Sequence, residues 1–139
     1  KLVLSSSQYK LIRCLAAVSY PNECAGYFVG WGPNSTVNHV MPITNPTLVT
    51  AREFHYDEGG VNVVGDHYGE HVVGGYHSHP SKKAFLSQAD ADALSDFEVE
   101  LIVSVWPGAR REFCYKPCVY FNIEGKVGIG LLKIQPSLI

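Results

Sequence analysis

The stretch "GGYHSHPSKKAFLSQADAD", residues 74–92, sets two histidines one residue apart, then a proline, then a serine and an aspartate further on. In an extended strand, side chains at i and i+2 share one face, about 6.5 Å apart along the chain. His77 and His79 therefore point the same way, and Ser78 points the other. Two imidazoles so placed can converge on one cation. Pro80 stops the strand, so the pair stands at a strand end, where functional loops commonly open. Polar residues at every second position are also ordinary on the solvent face of a strand. His-x-His alone therefore does not decide between a metal site and a plain strand.

Ser87 and Asp90 have an equally ordinary use. Ser-x-x-Asp before "ADAL" is a capping box, in which the serine caps a helix and the acid three residues on reaches back. Asp90 and Asp92 also suit the positive end of a helix dipole. A carboxylate held at a helix start is nonetheless well restrained. With the two histidines it makes a three-ligand set. Three protein ligands and an open fourth position are the pattern of a catalytic zinc rather than a structural one. Such a site still needs a proton acceptor and a group to stabilise a developing oxyanion. Upstream, "SYPNECAGYFVG" places Glu23 directly after a helix and before an apolar strand. Read alone, it is an ordinary loop glutamate.

The rest of the chain sets the frame. Its 139 residues suggest one domain, large enough to bury a core without staples. Hydrophobic residues make up 46% and charged residues 17%, the balance of a globular protein. The net charge of −2 gives no argument for a nucleic-acid partner. No apolar run reaches the length of a membrane-spanning helix. The opening "KLVLSSSQYK" has too short an apolar core for a signal peptide. Four cysteines, Cys14, Cys24, Cys114 and Cys118, read mostly as small buried hydrophobes. A reducing, cytoplasmic setting is expected.

"KLVL" (1–4) reads as a short strand, followed by a helix over "SSSQYKLIRCLAAVSY". Ser5, Ser6 or Ser7 can cap that helix, and Leu11, Cys14, Leu15 and Val18 form its apolar stripe. Pro21-Asn22 ends it. "CAGYFVGWG" (24–32) and "STVNHVMPITN" (35–45) read as a hairpin turned at "GPNS". "REFHYD" (52–57) suggests a third strand. "EGGVNVVGDHYGE" is faintly helical but carries Gly59, Gly60 and Gly65. "HVVGGYHSHP" (71–80) is a strand, "SQADADALSDF" (87–97) a helix, and "ELIVSVWP" (100–107) a buried β-branched strand. "REFCYKPCVYFNI" (111–123) and "GKVGIGLLKIQ" (125–135) close the chain as a hairpin around Glu124-Gly125. The class is α/β or α+β, a central mixed sheet with flanking helices in a single domain over residues 1–139.

Taken together, Glu23, His77-Ser78-His79, Ser87 and Asp90 resemble the motif of the JAMM (MPN+) metalloprotease family, with every named position filled. The flanks agree: "PNECAGYFVG" resembles the segment around the family's glutamate, and "VVGGYHSHP" the approach to its histidines. "ITNPT…EFHYD" and "LIVSVW" look like the segments between and after them. The resemblance covers about residues 1–130 and implies a mixed, curved sheet flanked by helices. By resemblance, His77, His79 and Asp90 would bind one Zn²⁺ per chain with a water in the fourth position. Glu23 would take the proton of that water and pass it to the leaving amine, and Ser87 would donate to the tetrahedral oxyanion. The attack would be direct, with no acyl-enzyme, so no cysteine is needed as a nucleophile.

Such relatives hydrolyse amide or isopeptide bonds after the C-terminal Gly-Gly of ubiquitin-like proteins. The compact prokaryotic branch, which this chain resembles in length, acts on small ubiquitin-like or sulfur-carrier proteins. Residues 52–70 and 81–86 are expected to wall the groove for such a tail. No nucleic-acid or membrane partner is expected, and the oligomeric state is open. The alternative is a non-catalytic or partner-activated MPN scaffold that binds a ubiquitin-like protein, against which the presence of Glu23 speaks. Deaminase-type zinc sites need H-x-E with P-C-x-x-C, and zincins need H-E-x-x-H; neither pattern is present. His55, His67 and His71 read as surface or strand histidines, and Trp31 and Trp106 as core or rim aromatics.

Overall fold

A computed structural model of the chain describes residues 1–43, 58–83 and 97–137. Strand β1 (Leu2–Ser5) leads into helix α1 (Ser6–Ser19). Ser5 is the cap. Its side chain accepts from the Gln8 backbone N–H at 3.1 Å, and the Gln8 side chain accepts from the Ser5 N–H at 2.9 Å. This reciprocal pair satisfies two of the backbone donors a helix start leaves open.

The buried stripe of α1 differs from the sequence expectation. Ile12 and Ala16 are the residues sealed into the core, with Tyr9 and Leu15 packed partly against it. Leu11 and Cys14 are exposed, and Val18 is 83% exposed. Both stripes have helical spacing, so periodicity fits either one, and the packing partner selects between them.

Strands β2 (Ala25–Trp31) and β3 (Val37–Pro42) form the expected hairpin, joined through a short 3₁₀ turn at Pro33–Ser35. Helix α2 (Glu58–Tyr68) settles the ambiguous glycine-bearing segment as a helix. Its end is closed by Gly69 at φ 68°. The Glu70 N–H donates to the Gly65 carbonyl and the Gly69 N–H to the Asp66 carbonyl. That is a Schellman closure, which a left-handed glycine permits without strain. Packing completes the helix: Tyr68 stacks on His39 at 4.3 Å between ring centroids, and Glu70 takes hydrogen bonds from β3 at Asn38.

Strands β4 (Val72–His79), β5 (Val99–Pro107), β6 (Phe113–Ile123) and β7 (Lys126–Gly130) follow. Among the described residues the main sheet has six strands in the order β3-β2-β4-β5-β6-β7. Only the β4–β5 pair is parallel; the others are antiparallel. A parallel pair requires a crossover connection. The helix expected over 87–97 lies, Phe97 apart, outside the described residues, as does the strand expected over 52–57.

The final hairpin turns at Glu124 and Gly125, both at positive φ (52° and 84°), as a two-residue hairpin turn requires. Its second arm does not run through as one strand. It breaks at Leu131, and β8 (Leu132–Gln135) leaves the main sheet to pair in parallel with β1. The chain ends are thereby drawn together, with the Ser137 hydroxyl bonded to Ser6 and Ser7.

One face of the main sheet carries Phe28, Tyr76, Val99, Leu101, Val103, Val105 and Val119, packed against α1 and β1 in a single core. The strand registers put Ala25, Tyr27, His77, Glu100 and Ile102 on the opposite face. Of the four cysteines only Cys24 is buried; Cys14 is exposed, and Cys114 and Cys118 are half-buried. The expectation of mostly buried thiols is met at Cys24, in part at Cys114 and Cys118, and not at Cys14. Cys14 sits on the outer side of α1.

Candidate metal centre

His77 and His79 project from the last turns of the β4 pleat on one face, as the i, i+2 alternation requires. Their Nε2 atoms are 3.1 Å apart. Zinc–nitrogen bonds are about 2.0–2.1 Å, so two ligands at tetrahedral corners stand about 3.3–3.4 Å apart. The imidazoles are thus already placed close to one edge of a tetrahedron. His77 is fully buried, and the His79 side chain is 12% exposed, so the pair opens outward through His79.

Glu23 arrives from a different part of the chain. Strands β2 and β4 are antiparallel with Ala25 opposite His77, which brings the start of β2 beside the end of β4. The ladder continues past β2: the Ser78 N–H donates to the Cys24 carbonyl at 2.9 Å, and the Cys24 N–H donates to Ser78 Oγ at 2.8 Å. Ser78 therefore grips both polar groups of Cys24 and fixes the backbone just after Glu23. Alternation carried back from Ala25 puts Glu23 on the histidine face. Its carboxylate is buried, at 4% exposure, with Oε1 3.8 Å from His79 Nε2.

The ligand atoms of Glu23, His77 and His79 all lie within 4.8 Å of one another. Two imidazole nitrogens and a carboxylate are donors that suit zinc. The 3.8 Å gap from Glu23 Oε1 to His79 Nε2 is longer than a tetrahedral edge, so the carboxylate stands slightly apart from the imidazole pair. Ser87 and Asp90 lie outside the described residues.

Sequence reasoning missed Glu100. It opens the apolar run of β5, yet it is only 2% exposed, and its Oε1 is 2.7 Å from His77 Nδ1. A single acid at the head of an apolar strand looks like the point where the strand meets solvent. Only the register, with Glu100 opposite Gly75 on the neighbouring strand, brings it to the histidine.

The electrostatics on the other side of β4 are those of a dry core. Burial pushes the Tyr76 phenol far above its ordinary value. Burial also raises the Cys24 thiol, against the opposing hydrogen bonds from Ser78.

The remaining polar aromatics behave as surface and rim groups. His71 is exposed and stands 3.7 Å from Glu98, and His67 edges against Tyr68. Trp31 is partly buried against the core and donates from Nε1 to Glu98 at 3.2 Å. His55 lies outside the described residues. No helix among the described residues is long and apolar enough to cross a membrane.

Comparison with solved structures returns the same architecture. A protein from Desulfitobacterium hafniense superposes with a TM-score of 0.72 at 19% identity, covering 99% of this chain and 95% of its own. A JAB1/MPN domain protein from Archaeoglobus fulgidus gives 0.58 at 15% identity, covering 97% and 99%. A structure described as JAMM, a metalloprotease-like zinc site in the proteasome and signalosome, gives 0.58 at 18% identity, covering 96% of each chain. At these identities the likeness is one of fold. Comparison with curated proteins gives no match. The prokaryotic homologs of the JAB domain match residues 5–114, a span that takes in Glu23, both histidines and Glu100. That match spans most of the chain and includes the buried glutamate and the two converging strand-end histidines: the chain belongs to the prokaryotic homologs of the JAB domain.

Proposed function

We propose that the protein is a zinc-dependent peptidase that hydrolyses the amide bond after the C-terminal Gly-Gly of a ubiquitin-like or sulfur-carrier protein. The observation that carries this reading is the convergence of Glu23, His77 and His79 from two strands distant in sequence onto one small volume. The JAMM/MPN family includes zinc metalloproteases, and the donor set fits that metal.

His77 and His79 would hold the ion, and Asp90 is proposed as the third ligand. Zinc bound there would supply Lewis acidity and lower the pKa of a water towards about 7. Glu23 acts as the general base. Its buried carboxylate takes the proton of the attacking water and returns it to the departing amine, so the same group serves both halves of the reaction. Ser87 is proposed to donate a hydrogen bond to the oxyanion. Ser78 holds the Glu23 backbone against β4 and keeps the base in register with the histidines. An extended Gly-Gly tail would lie along the sheet as an added strand, where the absence of side chains admits it to a narrow groove.

The test is incubation with Gly-Gly-linked ubiquitin-like conjugates, with and without chelator, read by intact mass. Cleavage after the second glycine, abolished by chelator and restored by zinc, supports the reading. Zinc binding with no cleavage of any conjugate would point to a scaffold instead.

A further inference from the structure

We infer that Glu100 is a positioning residue for the metal centre, fixing His77 as an Nε2 ligand and strengthening its hold on zinc. The inference rests on the zinc reading above, but on metal binding rather than on peptide hydrolysis.

Glu100 is 2% exposed and lies on a strand whose other residues from Val99 to Val105 are all buried and, Ser104 apart, apolar. A buried carboxylate is strongly disfavoured unless it is paired and hydrogen-bonded. Here the partner is the equally buried His77, 2.7 Å away at Nδ1. The bond has a direction that matters. With Nδ1–H donating to Glu100, the lone pair of the neutral ring sits on Nε2. Nε2 is the atom that faces His79 Nε2 at 3.1 Å, on the side of Glu23. The contact therefore selects the tautomer that can bind a cation on the correct side of the ring.

The backbone makes the contact feasible. Glu100 stands opposite Gly75, and His77 stands opposite Ile102, in the parallel β4–β5 register. Glu100 thus reaches diagonally across one position to His77, and the residue facing it has no side chain to intervene. A negative charge behind the ring also raises its basicity, and such partners typically change metal affinity by about 10–100-fold.

The experiment measures zinc affinity by chelator competition, together with the ¹⁵N shifts of the His77 ring, in the full chain. Glu100→Leu is expected to lose about 10–100-fold in zinc affinity. Its metal-free His77 ring should become a mixture of tautomers. Glu100→Gln keeps an acceptor for Nδ1–H without the charge. Its ring should stay in the wild-type tautomer, and its affinity should fall by less than about tenfold. A folded Glu100→Leu protein with wild-type affinity overturns the inference. If the leucine variant does not fold, the glutamine variant decides, and unchanged affinity there overturns it equally. A wild-type protein that binds no zinc sinks this inference and the metal reading together. One that binds zinc in a Glu100-dependent way but cleaves nothing sinks only the peptidase.

Discussion

Strands β4 and β5 show one kind of residue on one face and another kind on the other. Tyr76, Val99, Leu101 and Val103 face α1 and are fully buried among apolar neighbours. One residue out of phase, His77, Glu100 and, from just before β2, Glu23 are nearly as buried but are polar, with Glu100 against His77 and Glu23 beside His79. The same backbone ladder serves both. The first face supplies stability, and its rigidity holds the second, which carries the proposed metal site. A rigid scaffold of this kind allows groups from β4, β5 and the approach to β2 to meet in one small volume.

Substitutions should therefore separate by face. The largest effect is expected from His77→Ala, which removes a ligand and leaves Glu100 buried without its histidine. Zinc content, read by elemental analysis after metal-replete purification, should fall below roughly a tenth of an equivalent, and hydrolysis should vanish with it. Full zinc occupancy would break the division between the faces.

On the core face, Phe28→Ala should destabilise the fold by about 3–5 kcal/mol in chemical denaturation, because the fully buried ring packs against Tyr76. The surviving folded fraction should still bind zinc. Loss of zinc from well-folded Phe28→Ala protein would show that the faces are more tightly linked than proposed.

Ser78 joins the two faces, since its side chain lies on the core side yet holds the backbone of Cys24, directly after Glu23. Ser78→Ala leaves the buried Cys24 N–H without its acceptor and should destabilise by about 1–3 kcal/mol. Ser78→Thr should recover most of this. Hydrolysis should fall in the alanine variant with zinc content kept.

The smallest effect is in the pH dependence of stability. Burial raises the folded-state values of the Cys24 thiol and the Tyr76 phenol above their ordinary 9.0 and 10.0. The folded chain then keeps protons that the unfolded chain releases, so these groups leave stability unchanged below pH about 9. They erode it as the pH rises further. Cys24→Ser or Cys24→Ala should shift the onset of that loss upward in thermal melts taken across pH 8–11. An onset unmoved by either change would assign it elsewhere.

Much of this was legible in the sequence, for reasons particular residues make plain. The histidine pair follows from strand alternation, and the Ser5 cap follows from side-chain chemistry at a helix start. The bend at Glu124-Gly125 follows from backbone conformational preference. These signals are local. What the sequence hid depends on partners distant along the chain. The stripe Ile12–Ala16 was chosen over Leu11–Val18 by where the sheet lies. The break at Leu131 reflects the pull of β1 on β8. Helix α2 overrides three glycines through its Schellman closure and its packing on His39. Glu100 has no local signature at all, because its meaning comes from a parallel register with β4. Ser87 and Asp90, read as a helix cap and by family resemblance, lie outside the described residues and remain expectations of the motif.

The central claim is that Glu23 serves as the base beside a histidine-held zinc, and Glu23→Gln tests it most directly. Zinc content and single-turnover cleavage of a Gly-Gly-linked conjugate should be measured on the same purified sample. The expected result is one equivalent of zinc with cleavage reduced by at least about 10²–10⁴-fold. A zinc-loaded Glu23→Gln protein that cleaves at the wild-type rate would contradict the account.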